Sequence, residues 1–303
     1  MKYMRLFRSL LRIWRPASWQ ALYRDCMHWR SPFRVIRWYA LRVAHPFAYL
    51  KRRRLVPSLT PEQQARLALM QQKGFGPAEQ DLDPKLLSEL TATLRDMARD
   101  THIDPNGDPT KKNFWQLILK DQSLDTTNPF VRFVLQPDVL KMASGYFGEV
   151  PYIAYIHVAL SHATNNESWK ASQLWHEDYD DRKILKLFVY CTDVADEQDG
   201  PFTFIPKDLS KRVKNSFFPG RIDDATMSKY VQSTDYHSVK GPKNTAFYID
   251  TRNCYHLGSR IAHGHTRLAF MASFVSFASL QTFHNGIAIK SPVNEIERLV
   301  LEK

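Results

Sequence analysis

The triplet His176-Glu177-Asp178, followed by His256 eighty positions later and Arg267 eleven after that, restricts the folds open to this chain of 303 residues. In an extended strand, side chains at i and i+2 leave the same face, so His176 and Asp178 can reach one metal ion together. A third ligand from His256 requires remote segments brought face to face, as in a barrel. Two neutral imidazoles and one carboxylate on one side of the ion leave its opposite side open. Arg267 opens the mostly apolar run Arg267-Leu-Ala-Phe-Met-Ala-Ser-Phe-Val-Ser-Phe277. A guanidinium there can hold a carboxylate through two parallel hydrogen bonds.

Each piece alone has a plainer reading. An H-x-D triplet is common as a polar pair, His256 is one of eleven histidines, and Arg267 by itself reads as a strand-end charge. Their order carries more weight. Between the triplet and His256 run Ile184-Leu-Lys-Leu-Phe-Val-Tyr-Cys-Thr-Asp193, an acidic turn, and Gly200-Pro-Phe-Thr-Phe-Ile-Pro206. From about Asn128 to Phe277 the chain resembles the phytanoyl-CoA dioxygenase-like family of iron(II)/2-oxoglutarate oxygenases. That family's pattern is H-x-D, a strand ending in T-D-V, a G-P segment closed by proline, a distal histidine, and an arginine about ten residues on. Where the family often continues with G-S-H, this chain reads Lys207-Asp-Leu-Ser210.

The resemblance implies a mainly β fold, a double-stranded β-helix or jelly-roll barrel with flanking helices. It implies His176, Asp178 and His256 as metal ligands and catalytic centre, Fe(II) as metal, 2-oxoglutarate and O2 as co-substrates, and Arg267 as the 2-oxoglutarate anchor. His157, on a strand-like run before the triplet, is a further candidate for co-substrate or substrate contact, with a plain barrel histidine as its alternative. Because a carboxylate stands at Asp178 where related halogenases carry a small residue, hydroxylation is the implied reaction, with release of succinate and carbon dioxide. Glu177 points away from its neighbours in a regular strand. Asp180 and Asp181 read as a solvated turn, and His263 and His265 as loop residues.

Periodicity agrees with this fold class. Strand-like stretches cover Tyr152–Leu160, Ile184–Tyr190, Phe202–Ile205, Thr245–Ile249 and Leu268–Phe277, and helical spacing covers Pro84–Ala98 and Asp138–Phe147. The expected division is a basic arm at 1–55, a helical lead-in at 56–127, the barrel at 128–285 and a tail at 286–303. Cys26, Cys191 and Cys254 fit neither a zinc site nor a disulfide framework, which points to a reducing compartment. Cys254, near His256, reads as a buried, inert thiol.

The net charge of +11 is unevenly placed. Residues 1–54 hold fourteen Lys or Arg against one acid, +13, so the remainder is net −2. The same arm holds Trp14, Trp19, Trp29 and Trp38, and its first segment, Met1 to Arg15, alternates Arg and apolar residues at helical spacing. The arginines interrupt any membrane span or signal-peptide core. Attachment to an anionic membrane surface is the first reading. Packing on the barrel or a second subunit comes next, then an organellar transit peptide; nucleic acid is not expected, for want of a binding module. The cytoplasm, at the inner face of a membrane, is the expected location, with an organellar matrix as alternative. The substrate expected is a small molecule or lipid-linked compound, with anionic chemistry in keeping with the arm. A metal-free jelly-roll binding module at a membrane is the alternative function.

Overall fold

The computed structural model describes residues 32–101, 114–119, 123–213, 220–279 and 284–302. The segment Met1 to Arg15, three of the arm's tryptophans and Cys26 lie outside them. Among the described residues, antiparallel pairing builds a six-stranded sheet in the order β1 (Phe75–Pro77), β7 (Ala246–Asp250), β4 (Ile184–Tyr190), β9 (Thr266–Val275), β3 (Tyr152–His162), β2 (Trp115–Leu117). A three-stranded sheet has the order β6 (His237–Val239), β5 (Phe202–Phe204), β8 (His256–Leu257). The two sheets and the helices outside them form the expected jelly roll.

The long strands are apolar on both faces because both are covered. Along β9, Leu268, Phe270, Ala272 and Phe274 face the helices, while Ala269 and Met271 join the barrel interior. Along β4, Leu185, Leu187 and Val189 face outward to the helices, and Phe188 and Tyr190 face inward. The interior is aromatic: Phe188 stacks on Phe247 at 5.2 Å between ring centroids and meets Phe202 at 4.9 Å. Buried aromatic pairs of this kind each contribute roughly 0.5–1.5 kcal/mol beyond the area they bury.

Helices are set by their ends. In α3 (Pro61–Lys73), Thr60 and Gln63 form a reciprocal capping box, and Gly74 closes the helix in the left-handed conformation at φ 79°. Any side chain at Gly74 would also strike the Cys254 sulfur. In α4 (Pro84–Arg99), Asp83 caps the first turn and Leu87, Leu90 and Leu94 form the buried face. From α5 (Pro129–Val134), Phe133 meets Phe270 edge-on at 5.5 Å. Helix α6 (Pro137–Phe147) ends at Gly148, φ 71°. The segment read as a helical lead-in also supplies β1 and β2, too short to be visible as periodicity.

The arm's described part comprises α1 (Pro32–Ala44) and α2 (Pro46–Arg54). It packs on its own body. Arg42 and Glu149, both buried, pair at 3.0 Å. Buried Arg52 donates to the carbonyls of Val150, Pro151 and Glu302 at 2.9, 3.3 and 2.7 Å. None of the helices among the described residues is long and apolar enough to cross a membrane.

One expectation is corrected. Asp181 is not in a solvated turn but fully buried, accepting backbone N–H groups from Arg182 and Ser276 at 2.7 Å each. It ties the chain after the H-x-D triplet to the end of β9. Burial pushes its carboxyl up to about 6, against the hydrogen bonds that pull it down. With the folded value above the unfolded one, the unfolded chain ionises first as pH rises. Stability therefore falls between about pH 4 and pH 6, by roughly 3 kcal/mol. Comparing urea unfolding across pH, the stability of Asp181→Asn relative to the parent should improve by that amount from about pH 4 to pH 7. A difference independent of pH would overturn this assignment.

Candidate metal centre

His176 and His256 face each other as an antiparallel bridge, exchanging backbone hydrogen bonds of 3.0 and 2.9 Å. Residues paired this way project their side chains to one side, and the two rings lie 4.2 Å apart between centroids. Asp178 continues the edge, its N–H donating to the Thr251 carbonyl at 2.9 Å. His256 Nε2 and Asp178 Oδ2 are 3.9 Å apart, and the three potential ligand atoms all lie within 4.8 Å of one another. The group is able to hold a metal ion.

Backbone carbonyls fix the imidazoles for that task. His176 Nδ1 lies 2.8 Å from the Leu174 carbonyl and His256 Nδ1 3.0 Å from that of Cys254. A carbonyl only accepts, so each Nδ1 carries the proton and each Nε2 presents a lone pair. Burial lowers the pKa of both rings; the neighbouring imidazole reinforces this at His176, while Asp178 opposes it at His256. At Asp178 burial would raise the pKa, but the charge and hydrogen bond of Lys186 outweigh it and the carboxylate is held well below its ordinary value.

Lys186 was not singled out by the sequence. It enters the barrel from β4 and donates to Asp178 Oδ2 at 2.6 Å, with its ammonium 5.9 Å from the Tyr155 ring centre. Burial opposes its charge, yet the attraction of Asp178 raises its pKa overall. Glu177 pairs with Arg252 at 3.3 Å.

Behind the ligands lies a set of buried polar braces. Asp250 accepts from the Tyr146 hydroxyl at 2.5 Å and the Asn253 side chain at 2.7 Å, and also from the N–H groups of Ile184, Arg252 and Asn253. This holds the turn leading into β8. The Lys207–Ser210 segment, where the chain departs from the family pattern, forms one helical turn whose Ser210 hydroxyl accepts from the N–H of Tyr255 at 2.9 Å. The departure thus braces the residue preceding His256.

Arg267 is buried in the barrel, donating to the Gly200 carbonyl and, at 2.9 Å, to Ser259 Oγ, with its charge 5.9 Å from the Tyr190 ring centre. Its Nε has no hydrogen-bond partner. A buried donor left over beside a buried cation fits an anionic ligand. His157 faces the interior from β3 and stacks on Tyr155 at 4.2 Å, which connects it to Asp178 through Tyr155 and Lys186. On β9 its partner is Met271, four residues from Arg267. His265 pairs with Asp199 at 2.8 Å, away from the ligands, and Cys254 is buried with its thiol pKa raised by burial.

A cleft of about 260 Å³ opens on the ligands, lined by His176, Glu177, Asp178, Tyr179, Asp180, Gly220, Arg221 and Tyr255. No protein-family model matches the chain, and no curated protein sequence does. Among solved structures, EctD from S. alaskensis with bound Fe aligns at TM-score 0.51 and 12% identity, covering 81% of this chain and 85% of that one. EctD with 2-oxoglutarate and 5-hydroxyectoine aligns at TM-score 0.50 and 15% identity, covering 72% and 76%. The epimerase SnoN, in complex with Fe3+, alpha ketoglutarate and nogalamycin RO, gives a TM-score of 0.46 at 16% identity, covering 71% and 84%. At such identities the likeness to EctD establishes a shared fold.

Removing the ammonium separates two effects of Lys186. In Lys186→Met the Asp178 carboxyl takes up a proton more readily and competes with metal in acid, while the repulsion of a dication is relieved. Titration with Co(II) should show binding roughly ten- to hundredfold weaker than the parent near pH 5. Near pH 8 it should be equal or tighter. A uniform loss at both pH values would show that Lys186 only supports the fold.

Proposed function

We propose that this chain is an Fe(II)- and 2-oxoglutarate-dependent dioxygenase that hydroxylates an unactivated C–H bond of a small-molecule or lipid-linked substrate. The observation that carries this reading is the convergence of two Nε2 lone pairs and one ionised carboxylate inside a jelly roll that also buries Arg267 with an unused donor. The fold shared with EctD, whose structures hold Fe and 2-oxoglutarate, supports it. His176, Asp178 and His256 fit the metal by their donor set. Bound iron(II) would supply dioxygen activation: 2-oxoglutarate would give up two electrons as it becomes succinate and carbon dioxide, the substrate C–H bond the other two, and one oxygen atom would enter succinate and the other the new hydroxyl.

The chain's own residues prepare that chemistry. Lys186 keeps Asp178 ionised and fixes the direction of Oδ2. Arg267, desolvated on the barrel wall, anchors the distal carboxylate of 2-oxoglutarate. Phe202 lies against the His256 ring at 5.4 Å and, with Phe188 and Phe247, keeps water from the inner side of the ligands. His157 and Tyr155 form the wall beyond Lys186, where His157 is suited to substrate rather than to the Arg267 end. The polar cleft with Arg221 at its rim suits a substrate bearing hydroxyl or anionic groups.

Anaerobic addition of Fe(II) and 2-oxoglutarate should produce a weak visible charge-transfer band, absent from His176→Ala and Asp178→Ala. Succinate should form when a substrate is supplied with air. In Arg267→Lys, which keeps the charge but loses the fork, the KM for 2-oxoglutarate should rise on the order of a hundredfold. A metal-free binding module predicts no band in any variant, and that result would remove the enzymatic reading.

A further inference from the structure

Five of the seven large apolar side chains exposed among the described residues lie on the two helices of the arm. Ile36, Tyr39 and Val43 come from α1, Phe47 and Leu50 from α2, and they are 44 to 86% exposed. The two helices meet at His45, whose N–H closes α1 on the Leu41 carbonyl and whose carbonyl accepts the first α2 bond from Tyr49, at 3.1 Å each, with non-helical backbone at φ −127° and ψ 58° between them. At 100° per residue, the spacing of three and four residues within α1, and of three within α2, gathers these side chains into an apolar stripe along one side of each helix. Globular surfaces rarely leave such a contiguous patch without a partner.

The stripe is fixed outward. Buried Arg42 and Arg52, from other sides of the same helices, are bonded into the body through Glu149 and the carbonyls of Val150, Pro151 and Glu302. At its end stand Arg53 and Arg54, both exposed, and beside it Arg182 lies 5.9 Å from the Tyr39 ring centre. Arg182 follows the H-x-D triplet by only four residues, so the stripe adjoins the loop leading from the cleft. Exposed cations beside an outward apolar stripe complement an anionic bilayer surface.

We infer that the α1–α2 surface docks the protein onto anionic membranes, with Ile36, Tyr39, Val43, Phe47 and Leu50 entering the headgroup–acyl boundary and the cleft held close to the bilayer. The inference is independent of the iron chemistry, because lipid binding is read without turnover. Full-length protein should co-sediment with phosphatidylcholine–phosphatidylglycerol vesicles and much less with phosphatidylcholine alone, and the difference should shrink at high salt. The double variant Val43→Ser/Phe47→Ser should bind the anionic vesicles about tenfold more weakly. Val43→Ile/Phe47→Leu should bind like the parent. Both side chains are exposed, so neither variant should lower the melting temperature. Equal partitioning of the serine variant and the parent would sink the proposal. So would light scattering that shows a lipid-free dimer dissociated by the serine substitutions, since the stripe would then be a subunit contact.

Discussion

The site depends on one cross-strand pair. His176 and His256, eighty residues apart, exchange both backbone hydrogen bonds, and this decides that their imidazoles leave the same side of the barrel wall. A slip of one residue in either strand would turn one ring to the opposite face and abolish the cluster. The bridge is short and would be a weak determinant alone, so its neighbours carry the register. Trp175 bridges to Ile222, Asp178 donates to Thr251, and the Asp250 carboxylate gathers the donors of the turn before β8. Much of the buried polarity near the cluster thus fixes backbone, and the ligands inherit their direction from it.

Electrostatics then follow from burial. Two imidazoles removed from water stay neutral, which leaves their Nε2 atoms as donors of electron pairs. A lone carboxylate in the same place would tend to protonate, and Lys186 prevents this by pairing with it. The ammonium and the carboxylate sum to zero, so the protein without metal carries no net charge in this pair. A dication would meet an ionised ligand already aimed, at the expense of some repulsion from the lysine. Arg267 repeats the principle further along the wall: a cation held in a dry place by neutral acceptors has a field that is little screened.

The long strands, the helices Pro84–Arg99 and Pro137–Phe147, and the group His176, Asp178, His256 were legible in the sequence because each has a period or spacing that only one local geometry satisfies. Lys186 is legible too by alternation: in Ile184-Leu-Lys-Leu-Phe-Val-Tyr190 it shares its face with Phe188 and Tyr190, which point into the barrel. A single lysine among inward aromatic residues is a signal of a buried partner. The three-residue strands β1 and β2 gave none, since pairing with β7 and β3 creates them. Asp181 looked like one more acid in an acidic turn; what buries it is the end of β9, a contact with Ser276 that lies 95 residues away.

The arm shows why a charge count misleads when read as a surface property. Arg42 and Arg52 are among the cations that make residues 1–54 so basic, yet both are buried and neutral acceptors or Glu149 absorb their hydrogen bonds. A buried guanidinium bonded into the body in this way is a structural bolt, since its planar fork can tie several acceptors at once. Fixing one face of a helix in this way determines what the other face can do. The apolar residues at 36, 39, 43, 47 and 50 cannot rotate inward without breaking those bonds, so their exposure is imposed by the arginines behind them. The same residue type therefore acts twice in the arm, internally to orient the helix and externally to set the charge of the surface it presents.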